Sequence, residues 1–255
     1  MAMPRQRTGL RFFLLILLTL TLVSCAEDMA IRQKKTMIHL RLSDTYLSEG
    51  NLPAALGEAL TAYNLDKGNP AVHNLLGRVY TTRADFEKAI EHFNQAVKLK
   101  PDLSEAYNNM GTVYLTLEDW DKAIQQFNLA LSNPLYLTPQ FAYNNMGWAY
   151  YRKKEYDKAI HNYNMALRFS PRYESAFNNL GIVYMEQDDL EKALDAFQQA
   201  VTYFPSYAEA HYHLGEAYLR QHKEIQALAA FEEVVRLSPD SAWGRQARKA
   251  MAELK

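Results

Sequence analysis

SEAYNNMGTVYLTLEDWDKAIQQFNLALSNPLYL, residues 104–137, is the stretch that decides the fold. Tyr107, Met110, Gly111 and Tyr114 stand three, one and three residues apart. At about 100° per residue they share one face of a helix. Glu118 and Asp119 break that pattern, and a second run follows with Ala123, Phe127 and Ala130 on one stripe. The stretch therefore reads as a helix, a short turn and an antiparallel helix.

The same ruler recurs along the chain. Gly77, Gly111, Gly147, Gly181 and Gly215 are separated by 34, 36, 34 and 34 residues. A tyrosine follows each glycine by three (Tyr80, Tyr114, Tyr150, Tyr184, Tyr218), and an alanine by twelve (Ala89, Ala123, Ala159, Ala193, Ala227). Such periodicity is the mark of a helical repeat array, and arrays serve as extended binding surfaces. Glycine inside a helix costs about 1 kcal/mol relative to alanine, so its recurrence needs a packing reason. The expected reason is close approach of the second helix, whose small alanine meets the glycine while tyrosine and phenylalanine fill the gaps to the next repeat. Pro101, Pro171, Pro205 and Pro239 end the repeats, because proline cannot continue a helix.

These residues resemble the tetratricopeptide family. Residues 174–207 carry its pattern as Phe177, Leu180, Gly181, Tyr184, Ala193, Phe197, Ala200 and Pro205. Residues 208–241 carry it as His211, Leu214, Gly215, Tyr218, Ala227, Phe231, Val234 and Pro239, and residues 70–103 as His73, Leu76, Gly77, Tyr80, Ala89, Phe93, Ala96 and Pro101. A degenerate first repeat, 36–69, keeps Leu42, Tyr46, Ala55 and Ala62, with Ser43 in place of the glycine and Lys67 in place of the proline. With 104–139 and 140–173 this makes six repeats. The resemblance implies an all-α fold, a right-handed superhelical solenoid of six helix-turn-helix repeats. Residues 242–255 are too short for a seventh and read as a capping helix with an apolar stripe of Trp243, Ala247, Met251 and Leu254. Asp240 or Ser241 would be its N-cap.

The first 24 residues form a separate device. Arg5, Arg7 and Arg11 precede a twelve-residue run from Phe12 to Val23 that is apolar apart from two threonines. That is a signal-peptide core, shorter than the roughly 20 residues a spanning helix needs. The run ends in Leu22-Val23-Ser24-Cys25, which resembles the bacterial lipobox, and Cys25 is the sole cysteine of the chain. A lone thiol there has no disulfide partner, so a covalent lipid on Cys25 is expected, with residues 25–35 as lipidated cysteine and tether. By resemblance, such lipoproteins carry three acyl chains, and more than one chain gives stable anchoring. Ala26, where an aspartate would signal inner-membrane retention, favours the periplasmic face of the outer membrane.

Removing residues 1–24 takes away three arginines and no acid, and moves the formal charge from −1 to −4. A weakly acidic body without a basic block argues against a nucleic-acid partner. The seven histidines lack metal-ligand spacing: His211 and His213, two apart, fall on different faces of a helix. Each repeat glycine is alone in its repeat, so no phosphate loop appears, and no serine sits in a nucleophile elbow. No enzyme activity, cofactor, metal or small-molecule substrate is expected.

The face of each first helix opposite its core positions carries Asn74, Asn108, Asn144 and Asn178, with Asn109, Asn145 and Asn179 beside them. An asparagine ladder could pair with the backbone of an extended peptide. Phe141, Trp148 and Tyr151, followed by Ile182 and Met185, add an apolar segment where other repeats place Asp44, Arg78, Thr112 and Glu216. Exposed tryptophan beside apolar groups marks a partner hot spot. The two-residue insertion around 132–139, with Pro134 and Pro139, is expected to be extended and to present Leu135 and Tyr136.

Lipobox, short tether and six repeats together resemble the type IV pilus pilotin family. That resemblance implies an escort that binds outer-membrane secretin subunits in the periplasm and promotes their assembly, supporting twitching motility. The rival reading is a general envelope adaptor tethering peptidoglycan hydrolases or proteases.

Overall fold

The computed structural model describes residues 28–254. The expected signal peptide and Cys25 lie outside the described residues. Thirteen helices and no strand occur among those described. The first, α1, covers residues 28–48 and pairs with α2 (Leu52–Leu65). The next pairs are α3 (Pro70–Thr82) with α4 (Phe86–Leu99), α5 (Ser104–Thr116) with α6 (Trp120–Leu131), and α7 (Pro139–Arg152) with α8 (Tyr156–Phe169). Then come α9 (Glu174–Glu186) with α10 (Leu190–Tyr203), α11 (Ala208–Arg220) with α12 (Glu224–Leu237), and the closing helix α13 (Ala242–Glu253). The class is all-α, as the periodicity requires. The chain falls into two compact units that part between Asn109 and Met110. Residues 28–35, expected as a tether, are helical and belong to α1.

The packing reason for the repeat glycine differs from expectation. A Cβ would lie 2.5–2.7 Å from a ring carbon of Phe93 at Gly77, Phe127 at Gly111, Tyr163 at Gly147 and Phe231 at Gly215, and closer still to Phe197 at Gly181. Each of these aromatic side chains is fully buried. The glycine is therefore the seat of the aromatic residue of the second helix, not of its alanine. A flat ring can lie directly on bare helix backbone, and any side chain there would displace it.

The turn between paired helices uses one residue in the left-handed region: Ala84, Glu118, Lys154, Asp188 and His222 have φ between 58° and 62°, and Gly50 takes 74° in the first pair. At the second pair Ala84 N–H donates to Thr81 O and Asp85 N–H to Tyr80 O, both at 2.9 Å, which stops α3. Asp85 then caps α4 by accepting from Lys88 N–H. Lys88 Nζ lies 2.7 Å from the Asp85 carboxylate and 5.3 Å above the Tyr80 ring. The same aspartate, lysine and tyrosine recur as Asp119, Lys122 and Tyr114, and as Asp189, Lys192 and Tyr184. This accounts for the tyrosine three residues after Gly77, Gly111 and Gly181, whose ring carries the lysine that neutralises the next cap; after Gly215 the cap is Lys223 and Gln226 stands in the lysine's place. These pairs are exposed and screened by water, so they add little to stability.

Ser241 is the N-cap of α13, accepting from Gly244 N–H at 3.0 Å. Trp243, Met251 and Leu254 pack on a cluster containing Phe231 and Val234, so α13 covers the last pair. The insertion also departs from expectation. Asn133 Oδ1 accepts from Leu135 N–H at 2.9 Å, and Tyr136 N–H donates to Asn133 O at 3.1 Å. That turn tucks Tyr136 into the protein and leaves Leu135 and Leu137 outward, 81% and 86% exposed.

Candidate partner-binding groove

The residue after each repeat glycine faces the same side of its helix. In the first compact unit this position is closed: Arg78 Nη1 donates to Asp44 Oδ1 at 2.6 Å. In the second unit it holds Trp148 and Ile182, both half-buried. The Trp148 and Tyr151 rings lie 5.1 Å apart, and the Arg152 guanidinium sits 4.6 Å above Trp120 and 6.0 Å above Trp148. Tyr151, Ile182 and Met185 line a cavity of about 510 Å³ that α11 completes with His213, Glu216 and Arg220. Three of the expected apolar residues therefore meet at one place, with Trp148 tilted against Tyr151 beside it. Phe141 does not join them; it lies edge-on to Tyr173, centroids 5.7 Å apart. Met185 is buried, being 9% exposed, and lines the cavity only in part.

The asparagine ladder is corrected by the structure. Asn144 and Asn178 are buried, and Asn74 and Asn108 are half-buried. Asn109 Nδ2 donates to Asn74 Oδ1 at 3.1 Å, and Asn179 Nδ2 to Asn144 Oδ1 at 3.0 Å. Asn178 Nδ2 donates to Glu209 Oε1 at 3.3 Å. The paired asparagines thus staple one repeat to the next instead of offering an open ladder to a peptide backbone. Buried amides need such partners; the following repeat supplies one to Asn144 Oδ1 and one to Asn178 Nδ2, while Asn178 Oδ1 has none among the described residues.

His213 enters the sequence reading only as a histidine without metal-ligand spacing, and the structure places it in the groove. It stands two residues before its glycine, where Asn109, Asn145 and Asn179 stand, and that shared position was the signal available. Its Nδ1 lies 3.2 Å from Glu216 Oε2 and its Nε2 3.8 Å from Glu209 Oε1, while its ring stacks on Phe197 at 5.6 Å. Burial alone pushes the imidazole pKa down, but Glu209 and Glu216 together outweigh it, and the net shift is upward. Glu209 thereby links Asn178 to His213 beneath the groove. Arg220 Nη1 donates to Met185 O at 2.7 Å and so closes the C-terminal end of α9. Under Tyr151 lies Tyr163, whose burial holds its phenol pKa well above the ordinary range.

Chemically, the cavity can take a bulky apolar side chain, while Glu186 and Glu216 at its border can receive a donor or a cation. Among the described residues no group of three or more histidine, cysteine, aspartate or glutamate side chains is placed to hold a metal ion. Family models described as tetratricopeptide repeats match residues 178–242 and 104–133, and a further TPR-repeat model matches 77–118 and 147–188. The chain is a tetratricopeptide-repeat protein.

Solved structures with this fold include that of PilF from Pseudomonas aeruginosa, at 17% identity and a TM-score of 0.74, covering 86% of this chain and 99% of that one. PilW, described as a widely conserved type IV pilus biogenesis factor, superposes with a TM-score of 0.76 at 21% identity, covering 84% of this chain and 98% of its own. YrrB, described as a TPR protein with an unusual peptide-binding site, gives a TM-score of 0.55 at 19% identity over 75% of this chain and 97% of that one. No curated protein sequence matches this tetratricopeptide-repeat protein. Arrays of this class are typically interaction scaffolds rather than enzymes.

Proposed function

We propose that this tetratricopeptide-repeat protein is a lipid-anchored envelope scaffold that grips a protein partner in the groove of α7, α9 and α11. The observation that carries the reading is the open cavity where Tyr151, Ile182, Met185 and Leu219 meet Glu186, His213, Glu216 and Arg220, beside Trp148. An aromatic and aliphatic centre with a charged rim has the composition of a binding hot spot. The action is capture, without catalysis and without a cofactor beyond the lipid on Cys25.

The partner proposed is an outer-membrane secretin of a type IV pilus, and the role that of a pilotin. Two features support this: the fold likeness to PilF and PilW, which runs over nearly their whole lengths, and the lipobox-like sequence ending at Cys25. In this reading the lipid holds the scaffold on the periplasmic face of the outer membrane while the groove escorts secretin subunits there for assembly. The test is co-purification from envelope membranes, with the lipidated protein as bait. Secretin is expected among the captured proteins. The Trp148→Ala/Ile182→Ala variant is expected to lose about tenfold or more in affinity at unchanged helicity, since hot-spot truncations cost about 2 kcal/mol or more. Undiminished capture by the folded double variant would remove the groove from the reading. Peptidoglycan hydrolases or proteases in place of secretin would replace the pilotin by an envelope adaptor.

A further inference from the structure

The two ends of the helix series differ. The last pair is covered by α13, whereas α1 leaves uncovered the positions that every later first helix buries. Leu42 corresponds to Leu76, Met110, Met146, Leu180 and Leu214, all buried; Ile38 corresponds to Val72, Ala106, Ala142, Ala176 and Ala210, also buried. In α1, Ile31, Ile38 and Leu42 are instead 53%, 49% and 40% exposed. Their spacings of seven and four put them on one line along the helix. Thr36, Leu40 and Ser43, on the opposite side, are the residues α1 buries.

The charge around that line is distinctive. From Met29 to Ser43 there are four basic residues, Arg32, Lys34, Lys35 and Arg41, and no acidic one, in a chain whose formal charge is −1. Lys34, Lys35 and Arg41 border the apolar line, are exposed, and are in no ion pair among the described residues. Asp28, exposed at the start of α1, and Glu49, exposed just past its end, are the carboxylates at the two ends of this face among the described residues. An apolar line bordered by cations suits an anionic, apolar-cored surface. The chain position favours the same occupant. Cys25 precedes the first described residue of α1 by three, a reach of about 10 Å when extended.

We propose that the exposed face of α1, through Ile31, Ile38 and Leu42 with Lys34, Lys35 and Arg41, docks on the surface of a bilayer containing anionic phospholipid. The array then stands on the membrane by its first helix, and the lipid is one of two attachments. The inference rests on the anchor reading only for the role of Cys25; the face can be tested without it.

The experiment uses the chain from Ala26 onward, which keeps all thirteen helices and carries no lipid. Co-sedimentation is measured with vesicles of phosphatidylethanolamine containing phosphatidylglycerol, and with vesicles of phosphatidylcholine. Binding to the anionic vesicles is expected, weakening about fivefold for each of Lys34→Gln and Lys35→Gln, and falling further as salt rises. Ile31→Ser/Ile38→Ser is expected to abolish it at unchanged helicity, because both side chains are exposed. Equal binding by that double variant overturns the proposal. So does a concentration-dependent dimer that the double variant dissolves, which would assign the face to a second copy of the chain. Labelled fatty acid supplied to cells making the full chain or its Cys25→Ser variant reports separately on the anchor. Vesicle binding without labelling keeps the face and discards the lipid, and labelling without vesicle binding does the reverse.

Discussion

Tyr163 occupies the seat held in four other repeats by Phe93, Phe127, Phe197 and Phe231. Its ring lies 2.7 Å from where a Cβ of Gly147 would stand, as the phenylalanines lie on theirs. Its hydroxyl is the one difference. That oxygen is buried and has no hydrogen-bond partner among the described residues. Replacing Tyr163 by phenylalanine keeps every ring contact and removes only the hydroxyl. A buried, unpaired hydroxyl costs about 1–3 kcal/mol. The vacated space is about the size of one atom, and at about 24 cal/mol per Å³ returns less than about 0.5 kcal/mol of that gain. Tyr163→Phe is therefore expected to stabilise the protein by about 1–2 kcal/mol. Urea unfolding of the chain from Ala26, followed by circular dichroism, measures the shift. Because repeat arrays open locally, amide exchange in α7 and α8 should slow by a factor of about 5–30. Phe197→Tyr, which adds a hydroxyl at the matching seat, should cost a similar amount. A loss of about 1 kcal/mol or more in Tyr163→Phe would mean that the hydroxyl is paired, and would refute the reasoning.

Other expectations follow from the same geometry. Gly181→Ala drives a methyl into the buried Phe197 ring; overpacking of about 1–3 kcal/mol should exceed the helix-propensity gain of about 1 kcal/mol, and Phe197→Leu in the same chain should recover part of the loss in a double-mutant cycle. Ala84→Gly relieves an exposed left-handed residue at φ 59° and should raise stability by about 0.5–1 kcal/mol in urea titration, after the entropy that glycine adds to the unfolded chain. His213 has a folded pKa above its ordinary 6.5, so its stabilising contribution is complete below that value and is lost as pH rises through the folded one. The stability difference between the wild type and His213→Gln should accordingly be larger at about pH 5.5 than at about pH 8, and a difference independent of pH would show that the Glu209 and Glu216 contacts do not bind the imidazolium.

The groove shows how far a sequence can be read. Trp148, Tyr151, Ile182 and Met185 were legible as an apolar break in a polar series, because residue type at a fixed register is visible in the chain itself. Their convergence with His213, Glu216 and Arg220 was not, since α11 completes the cavity from a later repeat. The asparagines were misread for a related reason. Asn74 and Asn144 look solvated along their own helices, and it is Asn109 and Asn179, 35 residues further on, that cover them. Phe141 shares a register line with Trp148, yet Tyr173 holds it elsewhere.

The sequence by itself determined the repeat length, the helix pairing and the all-α class. Those follow from a 3.6-residue pattern of apolar positions and from glycines that repeat in step, both of which are local properties of the chain. Tertiary structure decided which ring sits on each glycine, which asparagines are taken up as staples, and that Tyr136 turns inward while Leu135 and Leu137 stay out. It alone also revealed that α1 keeps an apolar line uncovered. Each of these depends on a side chain supplied by another helix, and only packing brings such partners together.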